Sequence, residues 1–155
     1  MSGRDVQAKM IREVPPGIDK AMIRVNQLVQ EILSKFKIDL SKLCIAGFSQ
    51  GAVMAITTAM CAIEKPCAGL LACSPYPCMV DNWKQKAATT HNKTKIFLSH
   101  GKADMMIPFF TSEWIHQVFR EAKSDITYMT HPGSHEVGNR ETFIGISAFL
   151  SKLSS

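Results

Sequence analysis

A chain that sets Gly47-Phe48-Ser49-Gln50-Gly51 between a short apolar run and a helix-forming segment has few folds open to it. Leu43 to Ala46 is too short for a helix and ends at Gly47, so it reads as a buried strand. Ser49 to Ala62 is rich in Ala, Met and Ile, has no internal breaker and is closed by Pro66, so it reads as a helix. A sharp strand-to-helix turn holds the serine in a strained conformation and leaves its hydroxyl exposed. Residues two before and two after it must then be small, because they meet across the turn, and Gly47 and Gly51 meet that demand. Free amides and the dipole at the helix head favour developing negative charge, which makes the Gln50 N–H a candidate oxyanion donor. The bland reading, a plain glycine-rich turn, does not account for the flanking strand and helix.

The rest of the chain repeats this alternation. Ile18, Met22, Val25, Val29, Ile32 and Phe36 recur at steps of four and three, one face of a helix that should lie on a sheet. Ala68 to Cys73 and Lys95 to Ser99 are further buried strands, and the alternation of Ile126 to Thr130 predicts an edge strand. Phe110, Trp114, Val118 and Ala122, then Phe143, Ile146, Leu150 and Leu153, predict the core faces of two later helices. Ser74 to Lys93 reads as a long loop on the active side, or one holding a short helix. Such alternation implies α/β architecture, a parallel sheet flanked by helices. At 155 residues and 46% hydrophobic, the chain suits one domain, residues 1–155, with no internal repeat.

Composition narrows the setting. The five cysteines are odd in number, form no CxxC pair and lie mostly in apolar runs, which favours reduced thiols and a cytoplasmic chain. The N-terminus has no signal-peptide core, and no apolar run of spanning length occurs. A net charge of +5 is dispersed rather than gathered with aromatics, so it argues against a nucleic-acid partner. A solvated basic surface is the main reading, and contact with anionic membrane lipids the minority one.

A nucleophilic serine at such a turn needs a histidine and a carboxylate on later loops at the same sheet edge. Of five histidines, His116 falls mid-helix, His91 precedes a strand, and His100 ends one where it can orient a neighbouring loop. His131 and His135 remain; His131 is pinned before Pro132, and position favours His135, on a loop entering the last helix. Asp39 and Asp125 precede strands and Asp19 belongs to the first helix, which leaves Asp104 and Asp81, with spacing on the side of Asp104. The acid's role is to fix the imidazole tautomer and stabilise the imidazolium; its bland reading is a turn cap.

At these residues the sequence resembles the phospholipase/carboxylesterase family that includes the acyl-protein thioesterases. The likeness rests on Ala46 to Gly51, His100-Gly101-Lys102-Ala103-Asp104 with Ile107-Pro108, and His135-Glu136-Val137, with Gly17-Ile18 and Leu70 to Tyr76 similar too. It extends over nearly all of residues 15 to 153. The resemblance selects Asp104 over Asp81 and His135 over His131. It implies a three-layer α/β-hydrolase fold and a serine hydrolase of ester or thioester bonds, with Ser49, Asp104 and His135 catalytic, Gln50 in the oxyanion hole, and no metal or cofactor. The expected partner is an acyl ester or thioester, whether small molecule, lipid or acylated protein. Ala52 stands where a third glycine is usual, and Ser134 where glycine commonly precedes the histidine.

The resemblance also implies earlier strands and a His-Gly loop, donor of a second oxyanion N–H, for which residues 1 to 16 offer no counterpart. The expectation is a partial domain without the N-terminal strands. Loss of one oxyanion donor typically costs on the order of a hundred- to a thousandfold in turnover. The Leu43 to Ala46 strand then becomes an open edge, a template for pairing with a second copy. Two classes follow: an esterase or thioesterase, or a weakly active or inactive homologue serving as a binding or oligomerising partner. Met54, Met79, Met105 and Met106 are candidates for an apolar acyl site, with core packing as the competing role.

Overall fold

The computed structural model describes residues 8–155. Residues 1–7, part of the segment expected to hold no strand or His-Gly loop, lie outside the described residues; residues 8–16 carry a helical turn at 8–10 and no strand. The chain then runs α1 (Ile18–Phe36), β1 (Cys44–Phe48), α2 (Gln50–Thr57), β2 (Gly69–Cys73), α3 (Val80–Ala88), β3 (Lys95–Gly101), α4 (Phe110–Glu121), β4 (Ile126–His131) and α5 (Arg140–Leu153). Among the described residues the strands form one parallel sheet in the order β1-β2-β3-β4, so β4 is an edge, as its alternation predicts, and β1 is the other.

Side-chain alternation along the inner strands divides the core. Leu70, Ala72, Ile96 and Leu98 face one side, where α1 to α4 bring Val29, Ile56, Trp83, Ile115 and Phe119, and the turn after α2 brings Met60. Leu71, Cys73 and Phe97 face the other, covered by Phe149 of α5 with Ile146 and Leu153. This is the three-layer α/β arrangement, and the continuous apolar runs of β2 and β3 reflect burial on both faces. No helix among the described residues is long and apolar enough to cross a membrane.

The later helices keep only part of the expected faces: Val118 with Ala122 just past α4, and Ile146 and Leu153 of α5, pack against the core, while the other expected residues do not. In α4 the buried residues are Thr111, Ser112, Ile115 and Phe119, while Phe110 is exposed and stacks edge-on against Trp114. In α5 Thr142 and Phe149 are buried and Phe143 and Leu150 exposed. The helix after Ser49 does not run regularly to Ala62. Thr57 Oγ1 donates back to the Val53 carbonyl, 2.7 Å, and the Ile63 N–H reaches the Thr58 carbonyl, five residues back, so residues 58–62 form a π turn. The segment from Ser74 to Lys93 contains a short helix, α3, as the second alternative for it anticipated.

Candidate functional site

Parallel strands deliver their C-terminal ends to one edge of the sheet, and the sequence-predicted site residues gather there. β1 ends at Phe48, and Ser49 follows with φ 55° and ψ −123°, a left-handed conformation that a serine rarely adopts. Its N–H donates to the Cys73 carbonyl at the end of β2, 2.9 Å, which fixes the turn to the sheet. Gly47 is essential to this path: a Cβ there would lie 2.0 Å from the Gly51 carbonyl oxygen. Gly51 itself faces open space, so the expectation that both glycines are sterically required holds for Gly47 alone. The clash is with the backbone of Gly51, which any residue there would carry.

Ser49 Oγ lies 2.9 Å from His135 Nε2, and His135 Nδ1 lies 2.7 Å from Asp104 Oδ2. A carboxylate only accepts, so Nδ1 carries the proton and Nε2 is left to accept from the Ser49 hydroxyl. Phe48 packs against the His135 ring with centroids 4.9 Å apart. Burial alone would push the Asp104 carboxyl up, but the Ile107 N–H, the His135 ring and the Met106 N–H outweigh it and hold it below the ordinary carboxylate value. Asp104 Oδ1 takes those two amides at 2.8 and 2.9 Å, leaving Oδ2 for the imidazole. The acid is therefore ionised at neutral pH.

The acid loop and the base loop are joined by backbone. The Lys102 N–H donates to the His131 carbonyl, 2.8 Å, and the Ala103 N–H to the Gly133 carbonyl, 3.0 Å. Their approach leaves no room for a side chain at Gly101, whose Cβ would sit 2.1 Å from the Ser134 carbonyl oxygen. Beyond His135 the chain is tethered by Ser74 Oγ to the Glu136 carbonyl and Ser99 Oγ to the Val137 carbonyl, both 3.3 Å. Sequence reasoning missed these two serines. Each closes or nearly closes a strand beside the site, and that position was the available signal.

The alternatives lie elsewhere. Asp81 is in the first turn of α3 at the surface, 3.0 Å from Arg12 Nε. His131 is buried at the end of β4, its Nδ1 3.9 Å from the Glu136 carboxylate. His116 sits in α4 against Tyr128, and His91 is buried ahead of β3. The cysteines are free, and burial first pushes Cys78 up to about 12 and Cys44 up to about 11, so neither is a thiolate competitor to Ser49. Among the described residues, no group of three or more His, Cys, Asp or Glu side chains is placed to hold a metal ion.

At the head of α2 the Gln50 N–H has no carbonyl one turn behind it within the helix, which leaves it free to meet an oxyanion near Ser49. Next to it a cavity of about 350 Å³ is lined by Pro15, Pro16, Gln50, Gly51, Met54 and Tyr76. A second cavity, of about 400 Å³, shares Pro15, Pro16 and Tyr76 and continues to Val14, Phe110 and Trp114. Met54 lines this groove, Met79 is buried in the core, and Met105 and Met106 are 90% and 75% exposed beside Asp104. A larger cavity, about 760 Å³, lies among Leu33, Leu40, Pro66 and Lys93, beyond the opposite ends of the strands. Of the three, the 350 Å³ cavity is the one that reaches Gln50, the neighbour of Ser49.

A family profile described as Phospholipase/Carboxylesterase matches residues 4–154. The chain is 25% identical over 152 residues to acyl-protein thioesterase 1 of Aspergillus fumigatus, covering 96% of this chain and 62% of that one. Among solved structures, Arabidopsis thaliana SOBER1 superimposes with a TM-score of 0.75 at 18% identity, over 94% of this chain and 74% of that one. Zea mays acyl-protein thioesterase 2 gives 0.70 at 18% identity, over 90% and 65%.

Proposed function

The chain belongs to the phospholipase/carboxylesterase family, and from that premise we propose that it hydrolyses carboxylic esters or thioesters with Ser49 as nucleophile, His135 as base and Asp104 as orienting acid. The observation that carries this reading is the unbroken path from Ser49 Oγ to His135 Nε2 at 2.9 Å and from His135 Nδ1 to Asp104 Oδ2 at 2.7 Å. Ser49 Oγ attacks the acyl carbon while His135 Nε2 takes its proton, and the Gln50 N–H receives the carbonyl oxygen as it becomes an oxyanion. His135 returns the proton to the departing alcohol or thiol. It then deprotonates the water that cleaves the acyl–Ser49 bond, and Ser49 recovers its proton as the carboxylic acid leaves. The apolar groove from Gln50 towards Trp114 suits the acyl chain.

The chain spans 62% of the length of the Aspergillus fumigatus thioesterase it matches, so the activity of residues 1–155 is itself the thing to measure. A fluorophosphonate probe should label the native chain and not Ser49→Ala. No labelling of the native chain, or equal labelling of both, refutes the hydrolase reading. Paired ester and thioester substrates of graded acyl length then assign the preferred bond. The unpaired thiols favour a reducing, cytoplasmic setting. Exposed Met105 and Met106 next to exposed Lys102 suit contact with a lipid surface, which vesicle co-sedimentation measures.

A second reading draws on β1, which among the described residues pairs with β2 alone and exposes Ala46 and Phe48. Such an edge offers unpaired backbone groups to another strand, and a second copy of the chain supplies one. Sedimentation should show an association that strengthens with concentration; a monomer across a wide range of concentration refutes it.

A further inference from the structure

His100 closes the loop that carries Asp104, yet the reaction above assigns it nothing. It stands near the end of β3, wholly buried, and the titratable groups facing it are Asp104, His135 and His131. Its Nε2 lies 2.9 Å from the Ile107 carbonyl oxygen and 3.3 Å from Asp104 Oδ2. Both oxygens only accept, so Nε2 carries a proton. Nδ1 is buried without a partner, which suits a bare lone pair better than a second N–H. Burial, the largest influence on this ring, also holds its pKa below the ordinary histidine value, against the pull of the Ile107 carbonyl and Asp104.

We propose that His100 is a positioning residue: its Nε2–H, donated to the Ile107 carbonyl, pins the end of the acid loop whose amides hold Asp104, and with Nε2 3.3 Å from Oδ2 it keeps the carboxylate aimed at His135. The proposal rests on the hydrolase reading for its consequence, not for its geometry. The Met106 and Ile107 amides hold only Oδ1. Rotation about the Cβ–Cγ bond moves both oxygens together, so the aim of Oδ2 depends on where those two amides stand, and the His100 bond to the Ile107 carbonyl fixes the peptide segment that carries them. A histidine that merely filled core volume would be replaceable by leucine or phenylalanine. A positioning donor is replaceable by glutamine, whose amide reaches about as far as Nε2 and donates as it does.

The test uses the whole chain and three readings. In the native protein, nitrogen chemical shifts should report His100 as the Nε2–H tautomer, uncharged at neutral pH; an Nδ1–H tautomer or an imidazolium overturns the proposal without any variant. The far-downfield proton of an imidazole N–H shared with a carboxylate should mark His135 Nδ1–H in the native chain and in His100→Gln, and be lost or exchange-broadened in His100→Leu. The fluorophosphonate labelling rate should fall on the order of a hundredfold in His100→Leu, as for a displacement of about 1 Å in a reacting group, and largely recover in His100→Gln. A folded His100→Leu that keeps both the resonance and the rate overturns the proposal. The resonance reads alignment whether or not the chain turns over, so a native protein that shows it and does not label refutes the hydrolase reading alone.

Discussion

Gly47→Ala is the smallest change that should dismantle the site. The added methyl would meet Gly51 O at 2.0 Å, Gly51 C at 2.3 Å and Ala52 N at 2.7 Å, all backbone atoms of the helix that begins beyond Ser49. No rotamer change relieves backbone contacts. To restore even the 3.4 Å limit of ordinary contact, strand and helix must separate by about 1.4 Å at that point. β1 is held by its ladder to β2, and α2 by the buried Ala52, Val53 and Ile56, so the strain falls on the turn between them. Overpacking of this kind costs roughly 1–3 kcal/mol, and a displacement of about 1 Å at a reacting group costs on the order of a hundredfold in rate. Gly51→Ala is the internal control. Nothing lies within 4 Å of its Cβ position, and alanine in place of a helical glycine stabilises by roughly 0.5–1 kcal/mol. Urea denaturation and fluorophosphonate labelling of the two variants should move in opposite senses for stability, with labelling lost only in Gly47→Ala. Native labelling by Gly47→Ala, or equal damage from Gly51→Ala, would refute the steric account of the turn.

Three further outcomes follow from the same geometry. Asp104→Asn keeps an oxygen for the Met106 and Ile107 amides but presents His135 with a neutral partner that no longer fixes its tautomer; labelling should fall by about ten-thousandfold with the fold intact by circular dichroism. His91, His100 and His116 all have pKa values lowered, first by burial, so the unfolded chain takes up protons that the native chain refuses. Stability should therefore hold above the unfolded histidine value near pH 6.5 and decline as pH falls below it, by at most about 1.4 kcal/mol per pH unit for each ring, as urea midpoints across pH will read. Asn139→Ala removes the acceptor for the Thr142 N–H at the head of α5, 3.1 Å, and should cost about 1 kcal/mol in the same assay.

The parts of the molecule that sequence foretold are those where chemistry or backbone sterics dictate residue type locally. Gly47 to Gly51 announces its turn because a strained serine and a backbone contact leave few substitutes. Strand-end position set Asp104 and His135 apart from all but Asp81 and His131, spacing and position leaned towards them, and the resemblance made the selection; the pairing of Asp81 with Arg12 is invisible to spacing. The helix faces were harder. In α4 the pattern of Phe110, Trp114 and Val118 is a real apolar stripe, but Phe110 and Trp114 line a groove, while the buried stripe carries Thr111 and Ser112. Those two hydroxyls are satisfied by the Pro108 and Phe109 carbonyls, which makes polar residues acceptable in a core that hydropathy alone would deny them. The π turn at 58–62 depends on which carbonyl Ile63 finds, and composition carries no trace of that choice.

The site is unevenly anchored, and this has a consequence for how it fails. Asp104 and His135 sit above β3 and β4, on loops joined by the Lys102 and Ala103 amides, with Ser74 and Ser99 holding the chain just past the histidine. Ser49 comes from β1, an edge strand like β4 but without such cross-links beyond its end: a single backbone bond to Cys73 ties its turn to the sheet. Local openings draw first on segments with few neighbours. In rising urea, the serine should therefore part from the histidine before the histidine parts from the acid. Fluorophosphonate labelling should be lost at a lower urea concentration than the downfield His135 resonance, which should disappear with the global transition seen by circular dichroism. Coincident loss of all three signals would show that β1 is as firmly held as the centre of the sheet, and that Ser49 shares the cooperativity of His135 and Asp104.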